Sequence, residues 1–310
     1  MSVHLCNTFF EHDLESAAPK PLLHWLRSHP LCLQLQFLPL LYADPQDTIL
    51  VSDLPPNPDL RLRLLSEPLG PLELWAPLRG DNWPLIQQLN SKIFTFIHAP
   101  QLLGSALLTT PQEAASWIAL TPGPKVLKTP FGSAGRGHFH IGAPGLEAFL
   151  RKNLPVIGEP WVERTLDFST QWYLHPTHAE LLGETVFENN SRGAYLATTV
   201  GPSLVPEWAL DVHLQTAQPL VEQIRKLGYR GNVGVDAFIY RDNTVHPVVE
   251  INGRKTMSWV ALHLQRKHHP EQIVRLSLEN EGEGLLPQTL FVNGKTISFP
   301  KQMKKYVTNR

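Results

Sequence analysis

With 310 residues, 42% of them hydrophobic, the chain can bury a substantial core and exceeds one typical domain length. Its 27 Lys and Arg against 28 Asp and Glu leave a net charge of -1, which argues against nucleic acid or an anionic membrane as the main partner. Two cysteines, Cys6 and Cys32, supply neither a disulfide framework nor a zinc site, and they fit a reducing, cytoplasmic setting.

The first residues lack the basic start and long apolar run of a signal peptide. After a first short strand, Glu11, His12 and Asp13 form a polar turn that reads as a helix cap, and no catalytic role falls to His12. Residues 21–28 place Leu22, Leu23, Trp25 and Leu26 at helical spacing. Residues 31–42 are the most hydrophobic stretch, but Gln34, Gln36 and Pro39 interrupt them. That run is too short and too polar to cross a bilayer, and it reads as a buried strand and turn. A strand at residues 48–52 ends in a break at Pro55, Pro56 and Pro58. The alternation describes an α/β subdomain over residues 1–88.

Trp83, Leu85, Ile86 and Leu89 then share a helical face, and Ser91-Lys92 opens a second helix. Residues 111–119 read as a helix with Thr110 as N-cap and Pro111 in the first position. A strand at residues 125–128 runs into Thr129-Pro130-Phe131-Gly132-Ser133-Ala134-Gly135-Arg136-Gly137, and a strand at 138–141 returns. This is a hairpin, whereas the dinucleotide fingerprint and the P-loop both need a helix N-terminus after their glycines. Further strands are expected at 155–164, 168–174, 182–187, 233–240 and 246–251, with a helix at 219–227 that stops at Gly228. They suggest a mostly antiparallel sheet carrying one packed helix.

The chemistry concentrates in the last two of these strands. Asp236 lies on one, a polar turn at Arg241-Asp242-Asn243 follows, and Glu250-Ile251-Asn252-Gly253-Arg254 ends the other. Asp236 and Glu250 can sit nearly opposite, and like charges so placed destabilise a sheet unless a cation lies between them. Magnesium prefers such hard oxygen ligands, and a period of two puts Asn252 on the same face as Glu250. Each acid alone is more often a sheet carboxylate paired with Lys or Arg; the combination favours the metal.

Glu250-Ile251-Asn252-Gly253-Arg254 resembles the Glu-x-Asn-x-Arg signature of the ATP-grasp superfamily, to which biotin carboxylase belongs, and the resemblance covers roughly residues 92–254. It implies an α/β (α+β) chain with the ATP-grasp fold: an N-terminal α/β subdomain at 1–88, a small subdomain with the Gly-rich hairpin at 89–157, and a metal-bearing subdomain at 158–310. It also implies that Lys92 and Lys128 contact ATP phosphates, and that Gly132, Ser133, Ala134, Gly135, Arg136 and Gly137 close over them. Glu159-Pro160-Trp161-Val162 resembles the adenine hinge, although Pro160 replaces the usual basic residue. Asp167 is the candidate for the ribose, with Glu163 in reserve. Mg2+, or Mn2+ in its place, is expected on Asp236, Glu250 and Asn252, with Arg254 and Lys128 as the catalytic side chains.

Family members of this kind activate a carboxylate as an acylphosphate and pass it to an amine or thiol, releasing ADP and phosphate. The implied partners are a small-molecule carboxylate and an amine, with no nucleic acid and no membrane, and a homodimer is admissible. Kinase-like phosphoryl transfer and non-catalytic nucleotide binding are the competing outcomes. Arg192 and Lys255 either hold a substrate carboxylate or face solvent.

Overall fold

Short apolar strands separated by helices fold the N-terminal segment. In the computed structural model, which describes residues 1–65, 71–80, 82–132, 135–190, 193–280 and 282–308, this segment contains β1 (Val3–Leu5), α1 (Phe10–Glu15), α2 (Leu22–Ser28), α3 (Pro30–Leu35), β2 (Thr48–Val51), β3 (Leu62–Leu64) and β4 (Glu73–Leu74). The four strands pair in parallel in the order β3-β2-β1-β4, as an α/β reading requires. Leu5, Phe9, Trp25, Leu26 and Leu50 pack beneath them.

Residues 31–42 are not the expected strand: they form α3 and a 3-10 turn, Leu38–Leu41. Pro30 opens the helix, and the His29 side chain accepts from the Leu31 N–H as its cap. The glutamines that look like polar breaks are buried and satisfied. Gln36 accepts from the Ser52 N–H at 2.7 Å and donates to the Leu33 carbonyl at 2.8 Å. Likewise, the Glu11-His12-Asp13 turn lies within α1 and not ahead of a helix.

The next stretch carries α4 (Trp83–Leu89), α5 (Lys92–His98), β5 (Ala106–Leu108), α6 (Pro111–Leu120), β6 (Lys125–Lys128), β7 (His138–His140), α7 (Leu146–Asn153) and β8 (Val156–Pro160). Its strands form an antiparallel sheet in the order β5-β8-β6-β7. The Thr110–Glu113 capping box fixes the start of α6. The indole of Trp117 from that helix packs on Gly158, where a Cβ would come within 2.8 Å of the ring.

Then follow β9 (Arg164–Leu174), β10 (Ala179–Asn189), β11 (Tyr195–Val200), α8 (Glu207–Lys226), β12 (Gly231–Tyr240) and β13 (Thr244–Asn252). The C-terminal stretch holds α9 (Met257–His268), β14 (Ile273–Glu279), β15 (Thr289–Val292), β16 (Lys295–Ser298) and β17 (Gln302–Thr308). Chain contacts group residues 1–80, 196–202 and 254–310 into one compact unit, and 81–195 and 203–253 into another. In the first, β11, β14 and β17 run antiparallel in that order. In the second, β13, β12, β9 and β10 do the same. Among the described residues no helix is long and apolar enough to cross a membrane.

Helix α8 starts well before the expected residue 219 and runs through Pro219; it stops at Gly228, whose φ is +103°. Its face of Ala209, His213, Ala217, Leu220, Val221 and Ile224 is buried, at the three- and four-residue spacing of a helix on a sheet.

The β12–β13 hairpin is irregular in a way that matters. Tyr240 pairs with Thr244 and Phe238 with His246; continued unbroken, that register would set Asp236 against Val248. A bulge between these pairs sets Asp236 against Glu250 instead. Pro247 lies in the bulged stretch of β13, an edge strand, where a residue without an N–H is tolerated.

His213, fully buried on α8, meets the Pro247 carbonyl through Nδ1 at 2.6 Å and the Thr170 hydroxyl through Nε2 at 2.7 Å. Burial, against the hydrogen bond to Pro247, lowers its pKa from 6.5 to about 4. Between those values the unfolded chain takes up a proton that the folded chain refuses, so stability falls as the pH falls from 6.5 toward about 4. The loss is at most about 1.4 kcal/mol per pH unit for this group. Urea unfolding across that window is expected to give a shallower pH slope for His213→Gln than for the parent; equal slopes would remove His213 as a source of acid lability.

Candidate nucleotide and metal site

Asp236 and Glu250 face each other across β12 and β13, and Asn252 donates through Nδ2 to Asp236 Oδ2 at 3.1 Å. The repulsion of two apposed carboxylates is offset by Lys92, whose Nζ lies 2.8 Å from Glu250 Oε1. Lys92 is the first residue of α5, and its exposure is only 7%. Its ammonium also donates to the Gly132 carbonyl at 2.6 Å, and its backbone N–H to the Pro130 carbonyl at 2.8 Å, which ties the start of α5 to the Gly-rich loop. Asn90, at the α4–α5 joint, accepts from the Gly253 N–H at 2.8 Å and so fixes the end of β13 beside Lys92. A Cβ at Gly253 would lie 2.9 Å from the Asn90 amide.

The other lysine, Lys128, ends β6 and forms a buried ion pair with Glu159 on β8. Burial alone would raise the Glu159 carboxyl, but the charge and hydrogen bond of Lys128, with His246 and Arg164 nearby, hold it below its ordinary value. His138 on β7 is the strand partner of Lys128. Its pKa is lowered to about 4 by burial and by the charges of Lys128 and Lys92, against the pull of Glu250 and Glu159. The four groups are therefore close enough to share one electrostatic environment. His246 is lowered to about 4 by burial, with Glu159 opposing and Lys128 and Arg164 adding.

The loop between β6 and β7 folds tightly on itself. A Cβ at Gly132 would lie 2.3 Å from the Arg136 carbonyl oxygen, and one at Gly137 would lie 2.1 Å from Thr129 Oγ1; both glycines have positive φ. Gly135 also has positive φ, and Arg136 is exposed. Ser133 and Ala134, and the candidate substrate residue Arg192, lie outside the described residues.

Along the expected hinge, the Trp161 N–H already donates to the Pro124 carbonyl at 2.8 Å, and Val162 lies in the short link to β9. Arg164 places its guanidinium 4.2 Å from the Phe238 ring centre and pairs with Asp167 at 2.9 Å. Burial raises the Asp167 carboxyl despite that arginine, while Glu163 is exposed.

Arg254 falls in the other compact unit, where its Nε donates to Glu11 Oε1 at 2.6 Å. Lys255 does not face solvent: it is 3% exposed, with Nζ 4.6 Å from the Trp259 ring centre, 5.4 Å from that of Tyr42 and 3.8 Å from Glu73. Burial lowers its pKa, with Glu73 opposing.

Among the described residues no three His, Cys, Asp or Glu side chains gather as a self-sufficient metal cage. Two facing carboxylates with an adjacent amide fit a cation that takes its remaining ligands from water and phosphate, which is the habit of magnesium. Sequence reasoning missed Asn90, His138, His246 and Glu11. Each matters through a neighbour distant in sequence, and only the position of His138 directly after the last loop glycine offered a signal.

No protein-family model matches the chain. Over 138 residues it is 30% identical to the butirosin acyl-carrier-protein–L-glutamate ligase of Niallia circulans, a stretch covering 42% of this chain and 33% of that enzyme. The chain thus spans about a third of that relative's length. Among solved structures, N5-carboxyaminoimidazole synthase from Aspergillus clavatus, in complex with ADP and 5-aminoimidazole ribonucleotide, matches with a TM-score of 0.51 at 15% identity, over 77% of this chain and 71% of that one. Biotin carboxylase from Campylobacter jejuni matches with a TM-score of 0.51 at 12% identity, over 70% and 56%. At such identities the likeness is one of fold, and the fold is that of the ATP-grasp proteins.

The Lys128–Glu159 pair yields a direct test. Lys128→Met strands a buried carboxylate and is expected to cost about 3–5 kcal/mol in urea unfolding. Adding Glu159→Gln should restore part of the loss, and a double-mutant cycle measures the coupling. A loss below about 1 kcal/mol would mean that the pair is not formed as described.

Proposed function

We propose that this chain is an ATP-dependent ligase that activates a carboxylate as an acylphosphate and joins it to an amine or thiol, releasing ADP and phosphate. The observation that carries the reading is the convergence of Lys92, Glu250, Asp236 and Asn252 on one patch of an ATP-grasp fold. Similarity to an acyl-carrier-protein–glutamate ligase over part of the chain supports the same reaction class.

In this reading Lys92, Lys128 and the backbone N–H groups of residues 132–137 hold the nucleotide phosphates, as small residues let main chain approach an anion. Asp167 takes the ribose, and Glu159, Trp161 and Val162 lie along the adenine. Asp236, Glu250 and Asn252 would hold Mg2+, or Mn2+ in its place, which when bound neutralises charge on the phosphates. The substrate carboxylate oxygen attacks the γ-phosphorus as the bond to the β-phosphate oxygen breaks, and ADP leaves. The amine then attacks the acyl carbon, phosphate departs with the bonding electron pair, and the amine proton passes to solvent. Arg254 steadies the anion on the acyl group. No protein nucleophile is needed, and the protein's task is positioning and charge compensation. The segments 1–88, 89–157 and 158–310 serve as the N-terminal, hairpin-bearing and metal-bearing subdomains.

Incubation with Mg·ATP and a panel of amino and dicarboxylic acids should release ADP and phosphate only when an acid and an amine acceptor are both present. Glu250→Gln should reduce that turnover by at least about 100-fold with the fold retained. A phosphorylated product would replace the ligase reading with a kinase. Nucleotide binding without turnover on any pair, or full activity in Glu250→Gln, would count against the assignment.

A further inference from the structure

The hydrophobic pattern of β13 does not by itself fix which residue faces Asp236. Slipping a strand by two residues keeps every side chain on its own face, so Val248 and Glu250 are equivalent partners as far as the pleat is concerned. The unbulged register begun at Tyr240–Thr244 and Phe238–His246 would choose Val248, yet Glu250 is the observed partner. Something must hold the bulge open.

At the bulge lies Pro247, which has no N–H to give to a ladder. Its carbonyl is bound by the Nδ1 of His213, 2.6 Å away on α8. The opposite ring nitrogen is held by Thr170 of β9 at 2.7 Å, and the Thr170 hydroxyl in turn accepts from the Trp172 indole at 2.8 Å. Thr170 and His213 are 0% exposed, and the ring edge of His213 meets Phe168 with centroids 5.3 Å apart. The imidazole therefore spans from an inner strand, through the helix, to the edge strand, with both nitrogens used and one tautomer selected. A residue that merely filled the core would need neither hydrogen bond.

We propose that His213 is a positioning residue for the candidate metal site: by holding the Pro247 carbonyl it fixes the β13 bulge that sets Asp236 opposite Glu250. The proposal rests on the reading of Asp236 and Glu250 as metal-holding residues. It makes metal affinity depend on a side chain that belongs to the helix–sheet core and none of whose described hydrogen bonds reaches Asp236, Glu250 or Asn252.

The test uses the full chain with Mn2+ as the probe, its binding followed by electron paramagnetic resonance in the presence of ADP, and ADP binding without metal followed by calorimetry. His213→Phe keeps the ring volume and loses both hydrogen bonds; Pro247→Val restores the N–H that an unbulged ladder can use. In each variant Mn2+ affinity should fall by about tenfold or more, the range seen when residues supporting metal ligands are removed, while metal-free ADP affinity stays within about twofold. Thr170→Val, which removes only the outer partner of the imidazole, should show the same split and serves if His213→Phe fails to fold. Unchanged Mn2+ affinity in the folded variants, or an equal loss of Mn2+ and metal-free ADP binding, overturns the role of His213. A parent protein that binds ADP but shows no Mn2+ binding overturns the metal reading itself, and the inference with it.

Discussion

Two carboxylates placed face to face on neighbouring strands are the constraint around which the larger unit is arranged. Asp236 and Glu250 would repel in an ordinary sheet, and the chain sets a buried lysine against them. Lys92 can do this because it opens α5, whose first turn is bound to the Gly-rich loop through the Pro130 and Gly132 carbonyls. Asn90 holds the far end of β13 to the same joint. The acids, the loop and the helix start are thus one mechanical assembly. A change in any of them is felt by the others.

Buried ion pairs are a poor way to stabilise a fold, because desolvation consumes most of the Coulombic gain. That this unit keeps a buried pair, Lys128–Glu159, and a half-buried one, Lys92–Glu250, within reach of a single imidazole argues that the charges serve something other than stability. Each lysine has a carboxylate partner that a phosphate group can replace at little electrostatic cost, since one anion is exchanged for another in a site already built for it. On the proposed reading a polyphosphate would engage Lys92 and Lys128 together, and Glu250, released from Lys92, would join Asp236 in meeting a cation. The ion pairs hold the cradle in shape without a ligand and are suited to exchange when one arrives. Neutral His138 fits this scheme, since a further fixed positive charge would have to be desolvated between two lysines.

The parts of the site that were legible in the sequence are those whose chemistry is local. The hairpin between β6 and β7 follows from its glycines, and Glu250 and Asn252 share a face by the period of a strand. What was illegible depends on partners far along the chain. Residues 31–42 read as a buried strand and turn from their hydrophobicity alone, whereas they fold as a helix and a 3-10 turn, with Gln34 and Gln36 satisfied by distant backbone groups. The apolar face from Leu220 shows only the last part of helix α8, which begins at Glu207 and carries Pro219 well inside it. The apposition of Asp236 and Glu250 was expected from a plain hairpin, which would have delivered Val248; the bulge, invisible to residue pattern, makes the expectation come true. Ion-pair partners such as Glu159 for Lys128 and Glu11 for Arg254 carry no sequence signal at all.

The segment proposed as an adenine hinge, residues 159–162, shows how backbone accounting narrows a site that side chains leave open. A strand end can read a base edge only with N–H and carbonyl groups not already committed. Pro160 has no N–H, and the Trp161 N–H is bound to the Pro124 carbonyl, so neither can donate to a nucleobase. The next main-chain donors along the chain are Val162 and the exposed Glu163, ahead of the start of β9. There Arg164 lies over the Phe238 ring and pairs with the partly buried Asp167. On the nucleotide-binding reading proposed above, proline in place of the usual basic residue moves the recognition point along the chain, and Asp167, held by Arg164, lies on the side to which it moves.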